Sequence, residues 1–329
     1  MGIFLSTPPA LDIPYLKGKV VLVTGGNTGI GYETVAQLVK HGAKVYMGAR
    51  SESRATGAMA RLKADGYLDS PDAGEVIWLE VDLSTPAQAK RAAQEFMRRE
   101  MRLDILINNA GIGHLTPNAF ELVANSKIAV GTLMATNHLG PFTFTKTLLP
   151  LLSKTAAELG SDVRVVTVSS RAHSHSANMD WKDLHSWNFK SGGFFANLGA
   201  YGTTKLANLL FAKQLQLVFD QNNINALSIA INPGGINTES IQNLMPHYSW
   251  TGYLMYHLFK LTGQLLTPTQ GAYTTLFAAT SLVVAANRRK FAGAYLMPFG
   301  VLAEPSEVAK DPVAAQDLWE TSEKIVDAM

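Results

Sequence analysis

The residues with the clearest chemical potential fall in small groups far apart in the chain. The first is the run Thr24-Gly25-Gly26-Asn27-Thr28-Gly29-Ile30-Gly31. It follows the apolar stretch Val20 to Thr24, which reads as a buried parallel strand, and precedes a helical pattern from about Tyr32 to His41. Glycines at such a strand-to-helix turn let backbone N–H groups and the positive end of a helix approach a pyrophosphate with no Cβ in the way. The spacing T-G-x-x-x-G-x-G is one residue longer than G-x-G-x-x-G. Alone it is also an ordinary tight corner. After the first strand of a long αβ-alternating chain it favours a dinucleotide, with Gly25, Asn27, Thr28, Gly29, Ile30 and Gly31 as candidate contacts. The second group is Tyr201 and Lys205, at i and i+4, which share a face of a helix. An ammonium beside a phenol favours phenolate, drawing the group down from its free value of about 10 toward general acid–base use. By itself the pair reads as an ordinary surface contact. Ser170 closes the run VVTVSS, at the strand end where ligands of open αβ sheets gather. Its hydroxyl suits either a reacting oxygen or a turn. Asn137, in MATNHLG, sits inside a predicted helix, a poor place for asparagine unless its side chain has a partner.

The elements that must position these groups alternate. Strands are predicted at Val20–Thr24, Ala43–Met47, Glu75–Val81, Leu103–Ile107, Val163–Val168, Ala226–Ile231 and Ala294–Met297. Helices are predicted at Tyr32–His41, Glu52–Ala64, Pro86–Glu100, Lys127–Leu152, Tyr201–Asn222, Thr269–Ala285 and Pro312–Ala328. This alternation implies right-handed βαβ crossovers. The expected fold class is α/β, a single doubly wound domain with a seven-stranded parallel sheet flanked by helices. Residues 1–16, rich in proline, read as an irregular arm and 17–329 as the domain. Of 329 residues, 47% are apolar and 16% charged, enough for a sizeable core. The net charge of +2, with no long basic run, gives electrostatic nucleic-acid binding little support. The absence of cysteine excludes disulfides, cysteine nucleophiles and thiolate metal sites. No apolar stretch is long enough to span a membrane, and no secretory signal is evident. A cytoplasmic protein is therefore expected. Met1-Gly2-Ile3-Phe4-Leu5-Ser6 fits the loose N-myristoylation pattern, and fits an unmodified terminus as well.

With the elements in place, TGGNTGIG, the NNAG of 108–111, Ser170 after VVTVS, Tyr201-Gly202-Thr203-Thr204-Lys205, Asn137 and Pro233-Gly234-Gly235 follow the order of the short-chain dehydrogenase/reductase family. The resemblance spans about residues 17–300. It implies a Rossmann-type fold and a catalytic set of Asn137, Ser170, Tyr201 and Lys205, with Asn137 holding a water that links Lys205 to solvent and a charged nicotinamide ring adding to the pull on the phenol. It further implies that Asp82 and Leu83 meet the adenine, that Asn109, Ala110 and Gly111 line the cofactor, and that Pro233, Gly234 and Thr238 lie near the nicotinamide. Asn108 resembles the residue that steadies the central strands and borders the adenosine ribose. Family members commonly pair through the helices holding Asn137 and Tyr201, so a homodimer is the family expectation.

Cofactor choice has a local argument. NAD-binding members place an acid near the end of the second strand, against the ribose hydroxyls. This chain has Ala49 there, followed by Arg50, with Ser51 and Arg54 close by. A guanidinium in place of a carboxylate suits a 2′-phosphate and favours NADP(H) over NAD(H). The long spacing between Ser170 and Tyr201 and the motifs SRAH and YGTTKLANLLF resemble the retinol dehydrogenase and WW-domain oxidoreductase branch. The insertion at 171–198 brings Trp181, Trp187, Phe189, Phe194 and Phe195, either a wall for an apolar substrate or a packed surface loop. Residues 239–267 are the expected substrate lid. The apolar run 248–266 reads as surface for a lipophilic substrate, as a peripheral membrane contact, or as a helix packed on its own domain. His114, His138, His173, His175 and His185 show no ligand spacing, and no metal is expected. The implied activity is alcohol–carbonyl interconversion on a hydrophobic small molecule of retinoid-, steroid-, terpenoid- or polyketide-like character. A cofactor-sensing regulatory or scaffold protein is the alternative. An epimerase or dehydratase of nucleotide sugars fits the glycine spacing less well.

Overall fold

The computed structural model describes residues 11–113, 116, 118–123, 130–176, 179–236 and 265–328. The strands are β1 Val20–Thr24, β2 Lys44–Ala49, β3 Glu75–Glu80, β4 Ile105–Asn108, β5 Val163–Val168, β6 Ala226–Ile231, β7 Tyr295–Met297 and β8 Val301–Ala303, of which β1, β4, β5 and β6 are buried throughout. They make one sheet in the order β3-β2-β1-β4-β5-β6-β7-β8. The principal helices are α1 Gly29–Lys40, α2 Glu52–Ala64, α3 Pro86–Arg99, α4 Gly140–Ala156, α5 Phe194–Gln221, α6 Pro268–Thr280 and α7 Pro312–Asp327. Val21 and Val23 of β1 pack with α1, α2 and α6, whereas Val20 and Leu22 pack with α3, α4 and α5. Period-two alternation thus divides each strand between two cores, and both halves are apolar. Strand order reverses between β1 and β4, which opens a crevice at their C-terminal ends.

Several elements differ from the sequence expectation. The sheet has eight strands, not seven. The eighth pairs antiparallel with β7 through a short turn in which Phe299 and Gly300 both have positive φ. Three residues, two of them exposed, leave no period to read. Helix α1 begins at Gly29 rather than Tyr32, because helix propensity undervalues glycines placed at a helix start. Residues 130–131 are not helical. Val130 and Gly131 pair back onto Glu121–Val123, a helical turn starts at Thr132, and Ala135–Leu139 is π-helical before α4. The start expected at Lys127 lies outside the described residues. Helix α5 opens at Phe194, ahead of the Tyr201 expected, with Gly193 as an N-cap that offers no side-chain bond. The helix expected over 269–285 breaks at Ser281, where the Arg164 guanidinium takes the carbonyls of Ala278 and Ser281 at 3.0 and 2.9 Å. The aromatic insertion turns inward. Trp181 and Trp187 are buried with Leu209, Leu210 and Leu318, Phe189 is partly buried beside them, and Phe195 is exposed. The Phe194 side chain, Asn178 and residues 1–10 with Gly2 lie outside the described residues. Among the described residues no helix is long and apolar enough to cross a membrane.

Candidate active site

The glycine turn is held from beneath by β1 and β4. The Thr24 hydroxyl accepts from the Asn109 and Ala110 amides, both at 3.0 Å, and donates to the Ile107 carbonyl at 3.3 Å. The Asn109 amide nitrogen donates to the carbonyls of Thr24 and Gly25 at 2.9 and 3.3 Å. Gly25 takes φ +66, a conformation that side chains rarely adopt. Gly31 faces the turn so closely that a Cβ there would lie 2.2 Å from the Gly25 carbonyl oxygen. Glycine is therefore required for the turn to fold onto the first residues of α1. What results is a helix N-terminus, capped by the backbone of Thr28, opening into the crevice. An anion fits such a cradle.

At the other end of the crevice, β5 meets α5. The Lys205 ammonium donates to the Val168 carbonyl at 3.1 Å and stands 5.6 Å from the Tyr201 ring centre. The Ser169 hydroxyl donates to the Lys205 carbonyl at 2.7 Å, so strand end and helix are tied both ways. Ser170 begins a short turn, Arg171–His175, its Oγ accepting from the Ala172 amide at 3.1 Å. Burial draws the Lys205 ammonium down to about 8 and pushes the Tyr201 phenol up to about 12. Desolvation thus outweighs the pull of the neighbouring ammonium on the phenol that the spacing alone suggests. Asn137 lies behind this pair, fully buried in the π-helical segment. Its Oδ1 accepts from the Ile112 amide at 2.7 Å, and its amide donates to the Ile112 carbonyl and the Thr204 hydroxyl at 2.9 and 3.0 Å. The π-bulge presents to Ile112 and Thr204 a side chain that a regular helix would leave in competition with its own backbone. A Cβ on Gly111 would lie 3.2 Å from the Asn137 Oδ1 and 3.4 Å from the Lys205 Nζ.

One cleft of about 1320 Å³ joins the two ends. Gly25, Asn27, Thr28, Gly29, Ile30 and Gly31 line it from the turn. Arg50, Asp82 and Leu83 line it beyond β2 and β3, and Asn109, Ala110 and Gly111 beyond β4. Ser170, Tyr201, Lys205, Pro233 and Gly234 complete the wall. Asn137 and Asn108 do not reach it. Asn108 is buried and donates to the Thr145 hydroxyl at 2.9 Å, so its neighbour Asn109 faces the cleft in its place. Asp82 forms a local turn, accepting from the Ser84 amide at 2.8 Å and the Gln88 amide at 3.2 Å, while Thr85 caps α3. Thr238 and residues 237–264 of the expected lid lie outside the described residues. Leu266 pairs with the cleft residue Ile236.

Sequence reasoning missed Thr24 and Arg61. Arg61 joins the exposed Arg50 and Arg54 along the cleft and stacks over the Tyr32 ring at 3.5 Å. Its signal was present, since Arg54 and Arg61 are two helical turns apart on the face that also holds Ala58. The fit to a dinucleotide is good at both ends: a side-chain-free cradle at a helix start, and guanidinium groups without a carboxylate at the end of β2. Among the described residues no group of three histidine or acidic side chains gathers to hold a metal.

Residues 19–180 match the family model described as short chain dehydrogenase. A short-chain dehydrogenase/reductase of Armillaria gallica is 41% identical over 94% of this chain and 93% of its own length. Among solved structures, an uncharacterised protein from Mycobacterium paratuberculosis superposes with TM-score 0.68 at 30% identity, over 96% of each chain. The RhlG/NADP active-site complex of Pseudomonas aeruginosa shares the fold, with TM-score 0.62 at 24% identity over 86% of this chain and 96% of that one.

Proposed function

Because the chain belongs to the short-chain dehydrogenase/reductase family of oxidoreductases, we propose that it uses NADP(H) to interconvert an alcohol and a carbonyl on a hydrophobic small molecule. The observation that carries this reading is a single cleft with a glycine cradle at one end and Ser170, Tyr201 and Lys205 at the other. When bound, the nicotinamide supplies or accepts the hydride. Tyr201 moves the accompanying proton. With its phenol pushed up to about 12, it is in the donor form at neutral pH, which suits reduction. Lys205, held near the tyrosine ring by the Val168 carbonyl, favours the phenolate left after transfer. The Ser170 hydroxyl steadies the substrate oxygen. Asn137 fixes the loop at Ile112 against α5, and so supports the position of Lys205.

Arg50, Arg54 and Arg61 support the choice of NADP(H), since a 2′-phosphate adds charge and oxygen acceptors where guanidinium groups line the cleft. The apolar residues Ile112 and Ile236 on the wall, with the composition of 248–266, support a lipophilic substrate of retinoid-, steroid-, terpenoid- or polyketide-like character. Peripheral membrane contact rests on that same segment.

The test is a fluorescence titration with NADPH and NADH on the wild type and on Arg50→Ala, followed by a panel of lipophilic ketones and aldehydes. NADPH should bind the wild type more tightly than NADH, and Arg50→Ala should weaken NADPH by about tenfold or more while sparing NADH. Failure of both nucleotides to bind would remove the reading. Tight binding with no turnover across the panel would favour the cofactor-sensing alternative.

A further inference from the structure

His173 lies in the turn that begins with Ser170, and the chemistry above makes no use of it. The ring is 3% exposed, and both of its nitrogens are engaged by backbone. Nε2 sits 3.1 Å from the Ser306 amide, which can only donate, so Nε2 is an acceptor. Nδ1 must then hold the proton, and it donates to the Ser170 carbonyl at 2.8 Å. The His173 backbone amide donates to the same carbonyl at 3.1 Å. The ring also packs edge-on against Tyr295 of β7, with ring centres 5.2 Å apart. One imidazole, in one tautomer, thereby joins the Ser170 turn to the sheet and to the strap between β8 and α7.

We propose that His173 is a positioning residue, whose neutral ring ties the Ser170 carbonyl to the Ser306 amide and so aims the Ser170 hydroxyl into the cleft. The assignment rests on the oxidoreductase reading of that cleft. A second ring proton would set Nε2–H against the Ser306 N–H, donor against donor, and the strap would have to part. The charged and titratable groups on the neighbouring elements are Arg171 and His175 on the same turn, Tyr295 on β7, and Tyr201 and Lys205 on α5. On the strap side stand Glu304 and Glu307, both paired with Lys310, at 3.3 and 3.0 Å, and Lys213 of α5. Burial holds the ring below the ordinary histidine value, the Ser170 carbonyl pulls the other way, and His175 adds to the burial effect. Acid therefore disarms the site by releasing the Ser170 turn, without any change at Tyr201.

Ser306→Pro cuts the strap by displacement: its φ of −58° suits proline, which has no N–H, and the ring Cδ takes the place of the hydrogen that points at His173 Nε2, so the imidazole must swing aside. The experiment compares the wild type with Ser306→Pro, His173→Asn and His173→Leu, folding being checked by circular dichroism. Two readouts are taken: kcat and KM against pH with NADPH and a ketone that the wild type reduces, and imidazole nitrogen NMR of the protein alone. Ser306→Pro should raise the His173 titration midpoint by about one pH unit and lower kcat even where the ring is neutral, with KM for NADPH unchanged. His173→Asn, whose amide can still donate to Ser170 but does not reach Ser306, should keep more of kcat than His173→Leu and lose the acid limb of kcat. His173→Leu should lower kcat by about tenfold or more at every pH. Folded variants that match the wild type in kcat and pH profile would overturn the proposal. If the wild type reduces nothing, the oxidoreductase reading falls instead. The NMR arm then decides the strap alone, an unchanged midpoint in Ser306→Pro overturning it and a raised one upholding it.

Discussion

Lys205 and His138 are both bases taken out of water, and burial lowers both, with opposite uses. For Lys205, drawn down to about 8, the charge near Tyr201 is lost within a reachable pH range. The rate of carbonyl reduction should therefore fall as pH rises through about 8, and Lys205→Arg, which stays charged, should abolish that limb even at a lower rate. A pH profile of kcat/KM measures it, and a flat wild-type profile from pH 7 to 9 would contradict the role given to Lys205. His138, one residue beyond Asn137, is drawn down to about 3 by burial alone. The Ser322 hydroxyl donates to the Leu318 carbonyl at 2.7 Å, so the His138 Nε2–H donates to Ser322 at 2.8 Å and the ring is neutral. Unfolded, the same ring takes a proton below about 6.5. The unfolded state then binds more protons than the folded one, so His138 stabilises the fold fully above pH 6.5 and less as pH falls toward 3. By pH 5 its share of the loss is about 2 kcal/mol. Urea unfolding of His138→Gln should show a weaker drop between pH 7 and pH 5 than the wild type. An equal drop would mean that this ring is not the titrating group.

At the scale of elements, the site depends on how β1 and β4 end together. Thr24→Val is nearly isosteric, but it leaves the Asn109 and Ala110 amides without their acceptor. It should cost about 2 kcal/mol or more and weaken NADPH binding, because the Gly25 turn loses its floor. Urea unfolding and the NADPH titration together check this, and an unchanged midpoint would show that solvent replaces the hydroxyl at no cost. That junction also marks where the sequence stopped being legible. Strands β1, β5 and β6 were readable to the residue, since burial on both faces makes an apolar run continuous and its length excludes a helix. The resemblance put both Asn108 and Asn109 beside the cofactor, and side-chain alternation could not tell which of the two faces the cleft. The strand ends between them, and the side-chain alternation that would decide it ends there too. The catalytic spacing at Tyr201 and Lys205 was visible, whereas the start of α5 was hidden by a glycine-rich approach with no capping side chain. Trp181 and Trp187 announced bulk near the site, but not which way they turn. They turn inward onto Leu209 and Leu210 of α5 and Leu318 of α7, partners that local sequence around the insertion does not announce.

At the scale of the whole molecule, α7 decides what the helices around the site can meet. Trp319 stacks on Phe211 of α5 with ring centres 5.9 Å apart and packs edge-on against Phe142 of α4 at 5.0 Å. Lys146 of α4 reaches Glu323 and Asp327 of α7 at 3.1 and 3.2 Å, and Lys182 of the insertion reaches Asp317 at 3.1 Å. Helices α4 and α5, through which copies of this chain were expected to pair, are thus packed against α7 at Phe142, Lys146 and Phe211. The expected outcome is a monomer at micromolar concentration by sedimentation equilibrium. Trp319→Ala should cost about 3–5 kcal/mol of stability, as large aromatic truncations in a core do, and should uncover Phe142 and Phe211. Self-association should then appear in the variant at concentrations where the wild type has none. A wild-type dimer that persists unchanged in Trp319→Ala would refute the argument, because pairing would then use a surface that α7 does not touch.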